Sequence, residues 1–148
     1  MKAFSVVVAT LGPLGYSNGS GTLAALLTLA PIYWISKLPS TGQYTIIGLS
    51  IVVAFIVINR ALYALDRFDD PPQIVLDEVI GCLIACVGIE YTPAWIIPAF
   101  ILFRVFDITK LAGISYLELV PGAAGVLADD IAAGVLANVC IRLIACCL

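Results

Sequence analysis

Apolar positions fall into long runs, separated by short polar or proline-containing stretches. No charge occurs between Lys2 and Lys37, nor between Lys37 and Arg60. About 18 uncharged residues can span a hydrocarbon core, so these runs predict membrane helices. A bilayer admits only helices or closed barrels, and the alternating period of barrel strands is missing. A glycine-rich loop over 12–21 (GPLGYSNGSG) precedes a first predicted helix at 22–37, which stops at Pro39. A second starts near Thr41 and continues through IIGLSIVVAFIVINRALYALDRF, the best single span. Pro71 and Pro72 break the chain, with Pro72 near the start of a third helix, QIVLDEVIGCLIACVGI. Pro93 opens a fourth, AWIIPAFILFRVFDITKL, where Pro98 should introduce a kink. Residues 111–124 read as re-entrant or interfacial, and a last helix is predicted from about 125 to 146. The expected fold is all-α: a helical integral membrane bundle of roughly five to six helices, one domain over 1–148.

Two features of the pattern carry alternatives. Lys2 is followed by a short apolar run to Leu11, compatible with a cleaved signal, but no convincing small-residue site follows and a mature N-terminus is the preferred reading. Asn59, Tyr63, Asp66 and Asp70 follow one another at helical spacing and form a polar stripe. Either the second helix leaves the membrane with one wet side, or the stripe lines the cavity where the chemistry occurs.

Composition sharpens the class. The chain is 62% hydrophobic and 11% charged, against about 25% charged in ordinary soluble domains. Its net charge of −3 offers no basic patch for nucleic acid, and its few cations are too scattered to fix an orientation across the membrane. Five cysteines form no CxxC pair. Cys82 and Cys86, one turn apart, read as small apolar filler, and nothing independent supports lipidation of Cys146 and Cys147.

Within so apolar a chain the remaining charges matter more. Asp129 and Asp130 interrupt the run VLADDIAAGVL, where an uncompensated carboxylate would lose its hydration. LDEVIG adds Asp77 and Glu78, and FRVFDITK adds Arg104, Asp107 and Lys110 along one side of a helix. Asp130, Gly134 and Asn138 share a face, and Gly134 admits the close approach of another backbone or a ligand. If the three groups meet in one polar pocket between helices, five carboxylates face two cations and a divalent metal would restore the balance. All-oxygen donors and the lack of any histidine favour a hard ion, Mg²⁺ with Mn²⁺ as the alternative. Arg104 and Lys110 would then meet phosphate oxygens. Ion pairs that merely fix helix packing, and a proton or cation pathway, are the competing readings.

In that order, LDEVIG, FRVFDITK and GVLADDIAAG resemble the phosphatidylglycerophosphatase A family, with its DE-xx-G, FR-x-FD-x-xK and DD-xx-AG motifs. GPLGYSNGSGTLAAL is similar to the family's glycine-rich first motif, so the resemblance covers nearly the whole chain. It implies a Mg²⁺-dependent phosphatase converting phosphatidylglycerophosphate to phosphatidylglycerol and phosphate, and a fold with a central helix surrounded by others. It also implies that Asp77, Glu78, Asp107, Asp129 and Asp130 are the motif acids, and Arg104 and Lys110 the motif bases. Departures lie outside these residues. Leu111 and Gly113 replace prolines after the motif lysine, Ser17 and Ser20 stand where prolines are common, and Ala24 stands where glycine is usual.

The expected metal ligands are drawn from Asp77, Glu78, Asp129 and Asp130. Arg104 and Lys110 are expected to clamp phosphate, with Asp107 orienting them or assisting an attacking water, and Asp129 and Asp130 catalytic as well. Gly19, Gly21 and Thr22, ending the glycine-rich loop, are expected to offer backbone N–H groups to phosphate, a plain turn being the competing reading. Phosphohistidine, Cys-x5-Arg and DxDx(T/V) routes lack their residues. The phosphate would sit at headgroup level, with diacyl tails in lipid against apolar helix faces, at a bacterial inner membrane. A phosphatase for another lipid-linked phosphate and a carboxylate-lined ion transporter are the rival functions.

Overall fold

The computed structural model describes residues 2–67 and 71–147. Six α-helices account for most of them: α1 (Lys2–Ala9), α2 (Ser20–Ile35), α3 (Ser40–Leu65), α4 (Leu76–Cys86), α5 (Pro93–Thr109) and α6 (Ala123–Cys147). Short 3₁₀ segments occupy Gly12–Tyr16 and Leu111–Leu119, and no strand occurs among the described residues. The second of these segments matches the stretch expected not to span.

Local chemistry sets the boundaries. Pro39 precedes α3, and Pro93 opens α5, where a missing N–H costs no helical bond. α3 and α5 both end on a residue in the left-handed region, Asp66 at φ 54° and Lys110 at φ 50°. Pro98 lies inside α5, which continues through it. The expected third helix shrinks at both ends to α4: Val87 turns extended and Gly88 left-handed after it, and before it the Val75 N–H is tied to the Ala9 carbonyl. That contact also accounts for α1, which the sequence pattern presented only as a short apolar run: its buried Ser5 and Ala9 belong to the tertiary core.

α4 is the centre of the bundle, packed against α2, α3, α5 and α6. Gly81 and Gly134 make the α4–α6 contact possible. A Cβ on Gly134 would lie 2.4 Å from the Gly81 carbonyl oxygen, and one on Gly81 would lie 2.4 Å from the Phe103 ring. The partner that Gly134 admits is thus another backbone. At the far end of α4, Asn138 Nδ2 donates to the Ala85 and Val87 carbonyls. Arg142 donates to Asn138 Oδ1 and to the Val87 carbonyl. These two side chains satisfy carbonyls that a helix C-terminus leaves open. Cys82 and Cys86 are buried in the core, as their spacing suggested.

α3 and α6 are long and apolar enough to cross a membrane. Only 28% and 33% of their apolar windows is buried inside the bundle, so most of that surface faces outward. α3 presents Leu49, Val52, Val53, Phe55 and Ile56 in this way. Such a surface is stable against hydrocarbon rather than water.

Candidate active site

Four helix ends bring the charged groups together. Asp77 and Glu78 occupy the first turn of α4, and Arg104, Asp107 and Lys110 lie along the last turns of α5. Asp129 and Asp130 sit on α6, and α2 begins beside them at Ser20. They line one cavity of about 230 Å³ with Gly19, Ser20, Gly21, Thr22, Pro72 and Ile74. All ten residues singled out from the sequence as site candidates therefore converge: Gly19, Gly21, Thr22, Asp77, Glu78, Arg104, Asp107, Lys110, Asp129 and Asp130.

Inside the cavity the charges separate into two sets. One carboxylate oxygen from each of Asp77, Glu78 and Asp130 lies within 4.8 Å of the other two. Glu78 Oε2 and Asp130 Oδ1 are buried without a hydrogen-bond partner. Burial raises the Glu78 carboxyl above the usual carboxylate range; hydrogen bonding with Asp77 works against this and the charge of Asp107 adds to it.

The second set is an ion-pair chain. Arg104 Nη1 donates to Asp107 Oδ2 at 2.5 Å, and Lys110 Nζ donates to Asp107 Oδ1 at 3.2 Å. Lys110 Nζ also donates to Asp129 Oδ2 at 2.5 Å. Burial alone would lower the Lys110 ammonium, but the hydrogen bond and charge of Asp129, with Asp107 and Asp130 behind it, hold it above the ordinary lysine range. Arg104 Nε is buried with no hydrogen-bond partner. The cavity thus offers a trio of carboxylates beside two fixed cations, an arrangement able to bind a hard cation and an anion side by side.

Only the end of the glycine-rich loop takes part. Gly15 packs against the Gln73 carbonyl, whereas Gly21 lies against Glu78, its absent Cβ 1.9 Å from Glu78 Oε1. Ser20, which the sequence had marked only as a departure from a motif, lines the cavity and donates through Oγ to the Pro72 carbonyl at 3.3 Å. Its only advance signal was its place at the start of an apolar helical run. Of the polar stripe, Asn59 and Tyr63 border a separate cavity of about 270 Å³ with Pro121 and Gly122, so they do not share the charged one. Asp66 caps α3, and Asp70 lies outside the described residues.

The sequence also matches known proteins. Residues 7–145 match the family described as Phosphatidylglycerophosphatase A. A Bacteroides thetaiotaomicron protein named "Putative phosphatidylinositol-3-phosphatase" is 34% identical over 152 residues, covering 91% of this chain and 91% of that protein. Escherichia coli Phosphatidylglycerophosphatase A is 27% identical over 130 residues, covering 83% of this chain and 75% of its own. No solved structure matches the chain.

Proposed function

The chain belongs to the phosphatidylglycerophosphatase A family of membrane-associated lipid phosphatases, and from that premise we propose that it hydrolyses phosphatidylglycerophosphate to phosphatidylglycerol and inorganic phosphate at a bacterial cytoplasmic membrane. The observation that carries this reading is the meeting of Arg104 and Lys110 with three clustered carboxylates in one cavity. A phosphomonoester brings about two negative charges and three acceptor oxygens. Arg104 presents a planar fork to such a group and Lys110 a compact ammonium. Both oxygens of Asp107 accept from these cations, which fits it to orient them better than to act as a base. The first turn of α2 adds backbone N–H groups from the 19–22 segment at the positive end of a helix.

The carboxylate trio fits a divalent cation. Its donors are all oxygen, and Glu78 Oε2 and Asp130 Oδ1 are buried without a hydrogen-bond partner, a costly arrangement unless a cation compensates it. Asp77, Glu78 and Asp130 would hold Mg²⁺ or Mn²⁺. Such an ion, when bound, supplies Lewis-acid polarisation of a phosphoryl oxygen. In the hydrolysis, water oxygen bonds to phosphorus as the phosphorus–oxygen bond to the glycerol carbon chain breaks, and the alcohol leaves with a proton. Arg104 and Lys110 hold the phosphoryl oxygens in line for that displacement and stabilise the charge gathering on them.

A second lipid substrate is favoured by one specific observation: the relative named for phosphatidylinositol 3-phosphate shares more identity with this chain than the E. coli enzyme does. Phosphate release by the purified protein from vesicles containing either lipid, with Mg²⁺ and with chelator, decides between them. Release from phosphatidylglycerophosphate that stops on chelation and falls at least about 100-fold in Asp130→Asn and Arg104→Ala is the expected result. Release that survives chelation and both substitutions overturns the mechanism. Ion flux without phosphate release would mark a transporter.

A further inference from the structure

We propose that Asp129 is a positioning residue that fixes the Lys110 ammonium for substrate phosphate, and that it takes no part in holding the divalent cation. The inference rests on the phosphatase reading above, and it divides the adjacent aspartates of α6 between two tasks.

Successive side chains on a helix diverge by about 100°, so neighbouring aspartates cannot point to one place. Asp130 takes the direction of α4 and joins Asp77 and Glu78. Asp129 takes the direction of the α5 terminus and meets Lys110. Both Asp129 oxygens are engaged: Oδ2 accepts from Lys110 Nζ, and Oδ1 accepts the backbone N–H of Asp130 at 3.0 Å. It stands outside the carboxylate trio although it is the immediate neighbour of a member.

Lys110 is held from three directions. Its backbone is left-handed, φ 50° and ψ 36°, at the position that closes α5, where its N–H donates to the Phe106 carbonyl at 2.9 Å. Glycine is the usual occupant of such a position because a side chain there is strained. Asp66 closes α3 in the same left-handed conformation, so what distinguishes Lys110 is the pair of carboxylates its ammonium meets. Asp107 holds the ammonium from its own helix and Asp129 holds it from α6. Asp107 is shared between Arg104 and Lys110, whereas Asp129 reaches Lys110 from α6.

The test uses the purified full chain and two readouts: Mg²⁺ binding by calorimetry, and the KM and kcat of lipid-phosphate hydrolysis. Asp130→Asn should weaken Mg²⁺ binding more than about tenfold, whereas Asp129→Asn should leave it within about threefold. Asp129→Asn should instead lower kcat/KM by about 10–100-fold, with Asp129→Glu recovering part of the loss. Lys110→Met should reproduce that defect, and the double variant should be no worse than either single one. Equal loss of Mg²⁺ affinity in Asp129→Asn and Asp130→Asn overturns the proposal, and so does an additive double variant. If Asp129→Asn fails to fold, Lys110→Met carries the test: it must keep Mg²⁺ affinity within the same threefold while losing catalysis. A wild-type protein that releases phosphate from no lipid phosphate refutes the phosphatase reading, while the Mg²⁺ isotherms still decide whether Asp129 touches the ion.

Discussion

Gly21 is the residue whose replacement would do most with least. Glu78 places its carboxylate against the first turn of α2, where the partial positive charge of the helix terminus favours it. A methyl group at position 21 would meet Glu78 Oε1 at 1.9 Å and approach Arg104 Nη2 at 3.4 Å. Gly21→Ala is therefore expected to push Glu78 out of the trio and lower phosphate release by at least about tenfold, with weaker Mg²⁺ binding measured on the same protein. Gly19 is the control. It has a left-handed φ of 72° but open space around it, so Gly19→Ala should cost about 1 kcal/mol of stability by chemical denaturation and little Mg²⁺ affinity. The acids and bases were legible in the sequence because a charge is so expensive in an apolar chain that it signals a partner. The division between Asp129 and Asp130 was not. It depends on which helix each side chain faces, and adjacency in the sequence hides a rotation of about 100°. Gly21 was singled out as a candidate site position and does line the cavity, but its contact with Glu78 needed the packing of α2 on α4.

At the scale of elements, α4 decides whether the site exists. It spans about 16 Å at about 1.5 Å per residue, too short to cross a bilayer, and is held by its neighbours. Gly81 and Gly134 let α6 lie close enough for Asp130 to reach Asp77 and Glu78. Small residues at such contacts are the main device by which membrane helices approach. Gly81→Ala would press on the Phe103 ring and on the Asp130 carbonyl oxygen, the latter at 2.8 Å. Gly81→Ala and Gly134→Ala should each lower stability by about 1–3 kcal/mol, read as a lower unfolding midpoint in detergent. Gly48→Ala, on α3 with nothing within 4 Å, should leave stability unchanged or raise it by up to about 1 kcal/mol. If all three behave alike, close packing of α4 on α6 is not what those glycines serve. The long elements were readable because uncharged runs and prolines mark them. α1 was not, since eight residues carry too little periodicity and the helix is fixed by contact with α3 and the Val75 N–H.

At the scale of the whole molecule, the aromatic residues give a frame for the site. Tyr44 and Tyr63, both exposed on α3, are about 28 Å apart at about 1.5 Å per residue, close to the thickness of a hydrocarbon core of about 30 Å. Tyr33, Trp34 and Lys37 gather at the end of α2, with the Lys37 ammonium over both rings. Tyr91 meets Tyr33 edge to face, and Arg142 donates to the Tyr44 hydroxyl, so α3 and α6 meet this end as well. Amphipathic rings beside cations are the usual composition of a membrane–water boundary. Both tryptophans of the chain fall here: Trp34 is 67% exposed at the end of α2, and Trp95 lies in the first turn of α5. The charged cavity lies at the opposite end of α5, about 22 Å away from Trp95 to Lys110 along that helix. A lipid phosphate would therefore be taken from one leaflet while the tryptophans report on the other. In vesicles, native tryptophan emission should be quenched most by lipids brominated near the headgroup and least by those brominated at the chain end. Tyr63→Trp in a Trp34→Phe, Trp95→Phe background should give the same shallow profile from the cavity end. Strongest quenching at the chain end from either position would place that aromatic level inside the hydrocarbon, and α3 would then not span between its two tyrosines.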